Sequence, residues 1–507
     1  MIALAAWAAH HAVRVSHFGH AGGRLAAVWL VTFFFIAAQT VFFLLERPRR
    51  LTPRITRWLD GLHVAVLIPA YNEDDGYLRL SLESILAQSR KPGSVHVVDD
   101  GSTDTEYAAV RKWWREEARR AGIATTWQRV PNGGKRHAQG HAIRITPEAH
   151  VYVTVDSDSC LDKNALQELL LPLADRKVMS VAGVIMATNN RGPQAPRLMS
   201  RSREARRQYR RQRMTWPLYK MMCRVTDLWL VTSQLVDRSS LSAVGSVMVN
   251  SGPLAAYRAE IVRENLDGYL NETFAGKPVN LSDDSLLTLY ALQRGKTVQQ
   301  PTAFAFSAMP EKYNHLQRMY LRWMRGSTIR SLWRLRYLPL NKLAYWIHLS
   351  RWFQVALTTI VLAWLLVVAP FRHGTYPSPL FLLVPFVIGW AQGLRYLMVT
   401  RSDETLASRL LTWSMMPIAV IFSWTVLRWL RWYGAVTCTN TGWGTRQNGA
   451  EVSLGVPAPK SGSTWEHDDD TVAIRKLDSA VHTLYDPDTT LTTELPLPGT
   501  IRQEAPH

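Results

Sequence analysis

The sequence predicts an α/β domain set between membrane-spanning helices. Three observations carry that prediction. Between Thr52 and Leu340, short apolar runs alternate with segments of helical spacing, the pattern of a largely parallel sheet with crossover helices. Long apolar runs lie before and after this region. The acidic residues of the polar region gather at the ends of its strand-like runs, where such sheets bind ligands.

The first 13 residues, MIALAAWAAHHAV, are apolar but too short to span, and residues 1–24 read as an N-terminal segment. Leu25–Leu45 is 21 residues without a charge, enough to cross a core of ~30 Å at ~1.5 Å per residue. Arg47, Arg49, Arg50, Arg54 and Arg57 follow and mark that side as cytoplasmic. The run is too long and too late for a signal peptide, and no small-residue cleavage site follows.

The polar region then reads as strand and helix in turn. HVAVLIPAY, SVHVVDDGSTD and HVYVTVDSDS are strands ending in polar or acidic residues. YLRLSLESILAQ, DTEYAAVRKWWREEARRAG and NALQELLLPLAD have helical spacing. RSREARRQYRRQR places seven arginines in 13 residues. It suits a solvated helix face, a loop near anionic lipid, or a contact to a charged substrate. LQRMYLRWMRGS, Leu316–Ser327, leads into STIRSLWRLRYLPL, whose arginines and aromatics suit an interfacial helix. Arg318, Arg325 and Arg330 are expected at lipid headgroups.

Phe353–Phe371 is a second span and Pro379–Val399 a third, with Arg395 placed to snorkel. Leu410–Trp432 is apolar but carries Pro417, Arg428 and Arg431. It could span or lie in the interface. Counting crossings favours the interface, because one span before the polar region and two after it return the chain to the cytoplasm. The domain limits are therefore 25–45, 353–371 and 379–399 for spans and 52–310 for the α/β domain. Residues 311–342 and 409–446 are interfacial, and 447–507 is a Pro/Ser/Thr/Asp-rich tail expected to be disordered.

Charge is uneven. The chain carries a net +19, but from Glu451 onward 10 acidic residues face 4 basic ones, so the body holds +25. Such a body suits a polyanion, a phosphorylated substrate or an anionic membrane face. Nucleic-acid binding would explain the arginines but not acids at four segment ends, which repel phosphate without a metal. Cys160, Cys223 and Cys438 are far apart, which fits free thiols in a reducing compartment.

The acids are Glu73 in PAYNED, Asp99–Asp100 in VVDDGSTD, Asp156–Asp158 in VTVDSDS and Asp283–Asp284 in NLSDDSLLTLY. Singly, each reads as well as a turn or cap residue. Together they describe a site. Asp156 and Asp158 have strand spacing i, i+2, so both carboxylates can face one way. A hard divalent cation uses one or two protein carboxylates with phosphate oxygens and water, which suits a nucleotide diphosphate leaving group. A carboxylate at Asp283–Asp284 could take the proton from an attacking hydroxyl.

VAVLIPAYNED, VVDDGSTD, NGGKRHAQ, VTVDSDS, NSGPLAAYR, SDDSLLTLYALQRGKTV, RMYLRW and NTGWGTR resemble, in order, the motifs of the processive family-2 glycosyltransferases. Within them, the pattern is most similar to the hyaluronan synthases and extends over about Val64–Arg446. The resemblance implies a cytosolic glycosyltransferase-A domain with a mixed, mostly parallel sheet, closed by interfacial helices and attached to a membrane channel. It implies an inverting enzyme that takes UDP-sugar donors with Mg2+ or Mn2+ and extends a polysaccharide. The expected product is hyaluronan-like, alternating N-acetylglucosamine and glucuronate. An N-acetylglucosamine homopolymer or oligomer, or single addition to a membrane acceptor, is the alternative.

Carried over residue by residue, Tyr71, Glu73 and Asp100 match uridine-binding positions, and Lys135 and Arg136 match residues that hold the nucleotide and diphosphate. Asp156 and Asp158 match the metal-binding acids. Ser251, Gly252, Pro253 and Leu254 match the acceptor loop. Asp284 matches the catalytic base, with Asp283 beside it. Arg322 and Trp323 end the QxxRW-like motif, with Trp323 offering a face to the acceptor sugar. Trp443, Gly444, Thr445 and Arg446 match the motif that closes over the nucleotide. The chain departs from the pattern at Met319, where the motif has glutamine, at Asn250, where cysteine is usual, and at Ser282, where glycine is usual. It also shows fewer spans, so a channel would form from one subunit or from a homodimer. The implied location is the plasma membrane, multi-pass, with the catalytic domain in the cytoplasm.

Overall fold

The computed structural model describes residues 35, 37–103, 107–187, 218, 221–307, 309–310, 313–374, 380–398 and 405–442. The arginine run at 201–213, the tail from 447 and most of the first apolar run lie outside them.

The predicted strands β1 (Val64–Ala70) and β2 (Ser94–Asp99) are buried at every position, as in sheets covered on both sides, and β1 is apolar on both faces. Helix α1 (Pro53–Asp60) precedes β1, with Thr52 as N-cap. Helix α2 (Asp75–Leu86) follows β1 and is capped by Asp74, whose Oδ1 accepts from the N–H groups of Gly76 and Tyr77 at 3.0 and 3.2 Å. Then come α3 (Ala108–Arg120), β3 (Ala124–Arg129), α4 (Lys135–Arg144), β4 (Val151–Thr154), β5 (Ser159–Leu161), α5 (Ala165–Leu170) and β6 (Val178–Ala187). A helix over 221–243, α6, contains a π-helical turn at Ser233–Arg238.

β7 (Ala255–Arg258), α7 (Ala259–Glu264), α8 (Leu266–Leu270) and the small hairpin β8 (Thr273–Phe274) and β9 (Lys277–Pro278) lead to α9 (Asp283–Arg294) and β10 (Lys296–Ser307). Eight strands form one mixed sheet in the order β3-β2-β1-β4-β7-β6-β10-β5. β3, β2, β1 and β4 are parallel, as are β6 and β10. β7 and β5 run antiparallel to their neighbours. The mixed, mostly parallel sheet expected from the sequence is present.

Alternate residues of β1 enter two cores, as strand period dictates. Val66 and Ile68 pack with Leu78, Leu82 and Trp114 on one face. Ala65 and Leu67 pack with Ala138, Ile143, Leu286 and Leu289 on the other. The parallel strands thus point their carboxyl ends toward the loops that carry the acids.

Helix α10 (Tyr313–Tyr337) holds the RW pair. Helix α11, Leu343–Arg372, is the one helix among the described residues long and apolar enough on its own to cross a membrane. It contains the predicted 353–371 span and starts ten residues earlier. Its Phe353, Ile360, Leu366 and Phe371 are exposed. Helix α12 (Leu380–Met398) covers the third predicted run. The stretch read as interfacial forms α13, Leu406–Ser414, and α14, Met416–Val436, which meet at a 41° bend and together are apolar and long enough to span. Pro417 in the first turn of α14 accounts for the break.

Candidate active site

The site is built where β1, β2 and β4 end. Beyond β1, Asn72 adopts a left-handed conformation, φ 43°. Its N–H donates to Ser102 Oγ at 2.9 Å, and its Oδ1 accepts from Thr103 N–H at 2.7 Å. The first two loops are therefore laced together. Glu73 is buried; its N–H donates to the Tyr107 hydroxyl at 2.7 Å, and its Oε2 accepts from Ser157 Oγ at 2.9 Å. Ser157 lies between Asp156 and Asp158, so Glu73 ties the β1 and β4 loops. Tyr71 is half-buried beside it.

Asp100 directly follows β2 and is buried. Its two carboxylate oxygens accept the N–H groups of Gly133 and Gly134, each at 2.9 Å. Burial raises its pKa despite those bonds. The bonds fix the glycine turn that starts α4 and aims Lys135. Gly134 has φ 92°, a region that favours glycine.

Lys135 is the centre of the charge arrangement. Its Nζ lies 2.7 Å from Asp156 Oδ1 and 3.2 Å from Asp283 Oδ2. Burial would pull the ammonium down, but Asp156 and Asp283 outweigh it and its pKa is raised. Burial would push Asp283 up, but Lys135 and Arg136 reverse that and hold it below its ordinary value. Asp284 has the opposite fate. Burial and the Asp283 carboxylate push it up to about 6. Its Oδ1 accepts Ser285 N–H at 2.6 Å. Environments that split two adjacent carboxylates in this way mark an acid–base site.

The predicted acceptor loop adjoins this cluster. A Cβ on Gly252 would lie 3.0 Å from Lys135 Nζ and 3.3 Å from both Asp156 oxygens. Ser251 Oγ accepts from Arg238 at 2.6 Å, and Leu254 is buried. Pro253 is half-buried between them. Asn250 is fully buried; its N–H donates to Thr288 Oγ1 at 3.0 Å. Asp158 accepts from Ser159 Oγ at 3.3 Å.

On α10, Arg322 and Trp323 are half-buried. Trp323 stacks on Trp229 of α6, with ring centroids 6.2 Å apart and planes 24° apart, and Tyr320 meets Trp229 edge-on at 5.4 Å. One face of Trp323 is therefore occupied by protein. Met319 is buried.

One expectation is corrected. Arg330 does not face headgroups. It is fully buried and paired with Glu272. Arg136, expected at the nucleotide and diphosphate, acts electrostatically on Asp283 but bonds elsewhere. Its guanidinium is spent on Glu272 Oε2 at 2.7 Å, Tyr269 O at 3.3 Å and Leu281 O at 2.6 Å. A buried fork takes the nearest fixed acceptors, because each unmet N–H is costly there. Trp443, Gly444, Thr445 and Arg446 lie outside the described residues.

Trp229, Arg238, Ser157 and Glu272 belong to this neighbourhood and were not singled out from sequence. Ser157 was legible in principle, as the middle of the DSD triplet. The others carry no local signal, because their partners are distant in the chain.

Among the described residues, no group of three or more His, Cys, Asp or Glu is placed to hold a metal ion. A cation that draws most of its ligands from phosphate and water needs only one or two carboxylates. Asp156 and Asp158 at the end of β4 fit that need.

A partly buried lysine between two acids, beside a glycine loop and a carboxyl whose pKa is raised to about 6, is an arrangement suited to group transfer on an α/β sheet. Residues 65–238 match the family described as glycosyl transferase family 2. The chain carries that domain and is a glycosyltransferase. Beyond the domain, it is 29% identical over 385 residues to a hyaluronan synthase of Streptococcus pyogenes, covering 76% of this chain and 83% of that one. It is 30% identical to an N-acetylglucosaminyltransferase of Azorhizobium caulinodans, over 55% of this chain and 60% of that one. A mannosyltransferase from Pyrobaculum calidifontis, solved with GDP-Man and Mn2+, is a distant likeness: 18% identity, TM-score 0.42, covering 82% of this chain and 98% of that one.

Proposed function

We propose that the chain is a membrane-embedded, inverting polysaccharide synthase that extends a hyaluronan-like polymer from UDP-N-acetylglucosamine and UDP-glucuronate. The observation that carries this reading is the placement of Asp283, with Asp284 beside it, and of the Gly252 loop around Lys135 and Asp156. The likeness to a hyaluronan synthase supports it, because it covers 76% of this chain and so reaches well past the family-2 domain.

In this reading the donor's uridine sits near Tyr71, Glu73 and Asp100. Lys135 stands against the diphosphate. Asp158 and Asp156 hold Mg2+ or Mn2+, which supplies charge neutralisation to the leaving diphosphate. The acceptor lies over the 251–254 loop and the open face of Trp323. Asp284 accepts the proton of its attacking hydroxyl. That oxygen forms a bond to the anomeric carbon as the carbon–phosphate oxygen bond breaks, and UDP leaves with the electron pair. Attack opposite the leaving group inverts the centre. Arg322 orders the acceptor pocket from α10, and Trp443 and Arg446 close over the nucleotide.

The growing chain passes outward along α11, α12 and the bent pair α13–α14, within one subunit or a homodimer. The enzyme sits in the plasma membrane with its domain in the cytoplasm, and nucleic acid is no partner. A second reading, a β-linked N-acetylglucosamine homopolymer or oligomer, is favoured by the likeness to N-acetylglucosaminyltransferases.

Replacing Asp284 by Asn tests the base. Transfer should fall by about 10²–10⁴-fold, while UDP binding, measured by calorimetry, stays intact. Retained turnover in Asp284→Asn would remove the assignment.

A further inference from the structure

Glu272 lies outside every motif that led to the site, in the residue before the β8–β9 hairpin. Its side chain is 7% exposed, and it is the shared acceptor of three side chains from two helices. Arg136 of α4 donates to its Oε2 at 2.7 Å. Arg330 of α10 donates to both oxygens, and Trp333 Nε1 donates to its Oε1 at 2.6 Å. Glu272 holds its carboxylate below the ordinary range, because these two arginines outweigh the burial that opposes ionisation. One negative charge thus holds two buried positive ones.

Both arginine partners of Glu272 sit one remove from the proposed site. Arg136 follows Lys135, and its second terminal nitrogen donates to Leu281 O at 2.6 Å, two residues before Asp283. Arg330 lies two turns beyond Arg322–Trp323 on α10. Between them, Gly326 presses on the turn before the acids: a Cβ there would come within 2.6 Å of Ser282 Cβ. Arg334, one turn further, donates to Met248 O at 2.6 Å, two residues before Asn250. The helix is therefore clamped to both the base loop and the acceptor loop.

We propose that Glu272 is a positioning residue for the transfer step. It locks α10, which carries the acceptor-side Trp323, to the loop that carries Asp283 and Asp284. It touches neither donor nor acceptor. The proposal rests on the reading of Asp284 as base. Glycosyl transfer is sensitive to such a lock, because a misplacement of about 1 Å between base and acceptor costs about 10²-fold.

The test uses the full-length protein in detergent or nanodiscs, assayed well below each variant's unfolding temperature. Glu272→Gln keeps the shape and removes the charge. Trp333→Phe removes one donor and keeps the ring, so it serves if Glu272→Gln does not fold. Lower kcat at unchanged KM for the UDP-sugar, with Glu272→Asp recovering part of the loss, supports the lock. The loss expected in Glu272→Gln is about 10–100-fold, with a smaller one in Trp333→Phe. Full kcat per folded molecule in the variants would show that the clamp serves stability alone and overturn the proposal. So would a rise in KM without a fall in kcat. Wild-type-like turnover in Asp284→Asn, measured alongside, would instead remove the reading on which the lock rests.

Discussion

Asp283 and Asp284 are neighbours in sequence with opposite chemistry. Lys135 stabilises the first as a carboxylate, and that fixed negative charge, added to burial, pushes the second to about 6. A raised pKa means that the group is protonated below that value and ionised above it. A base must be ionised, so kcat/KM should fall as pH drops through about 6 and level off above it. A pH–rate profile of the free enzyme reads this limb directly. Lys135→Met removes the cation that, among the described residues, is paired with both Asp156 and Asp283. Asp283 should then lose its low pKa, and turnover should fall by at least 10²-fold, about the worth of an electrostatic anchor at a reacting group. Single-turnover kinetics would show the loss in the chemical step. The acids themselves were legible in the sequence, because strand ends in α/β folds place ligand-binding groups. The direction of each was not. The partition of roles depends on which carboxylate meets Lys135, 148 positions before Asp283 in the chain.

The elements divide by how their pattern arises. β1, β2 and β4 were readable because both faces are buried, and α2 because Asp74 caps it. Helix α6 was not, because its role is made by single residues facing different neighbours: Trp229 on Trp323 and Arg238 on Ser251. The clamp on α10 was hidden for the same reason. Its bonds join residues 58 and 136 positions apart, and the arginine pattern suggested lipid instead. Gly326 shows how tightly α10 meets the base loop. Alanine there gains about 1 kcal/mol of helix propensity, but overpacking against Ser282 costs about 1–3 kcal/mol. The clash should win. Gly326→Ala is expected to lower the unfolding temperature and to lower kcat more than KM changes, which thermal scanning and initial-rate assays check. An unchanged kcat would mean that the base loop is not held by this helix.

At the scale of the molecule, in the proposed reading the sheet delivers the donor site and α10 the acceptor side, with the apolar helices beyond. Helix α11 is long enough to cross a bilayer, and its exposed apolar residues have no other described cover. The protein should therefore stay with the membrane through carbonate and high salt and leave it only in detergent. Release by salt would show that charge alone holds it there. How many further crossings the chain makes was not decided by pattern, because Pro417 and two arginines break the last apolar stretch where it bends by 41°. The central claim concerns the product. Purified protein should be incubated with UDP-N-acetylglucosamine and UDP-glucuronate, singly and together, with Mg2+ or Mn2+, and the product sized and digested with hyaluronidase. The account predicts a long, hyaluronidase-sensitive polymer only when both donors are present. Polymer from UDP-N-acetylglucosamine alone would contradict it.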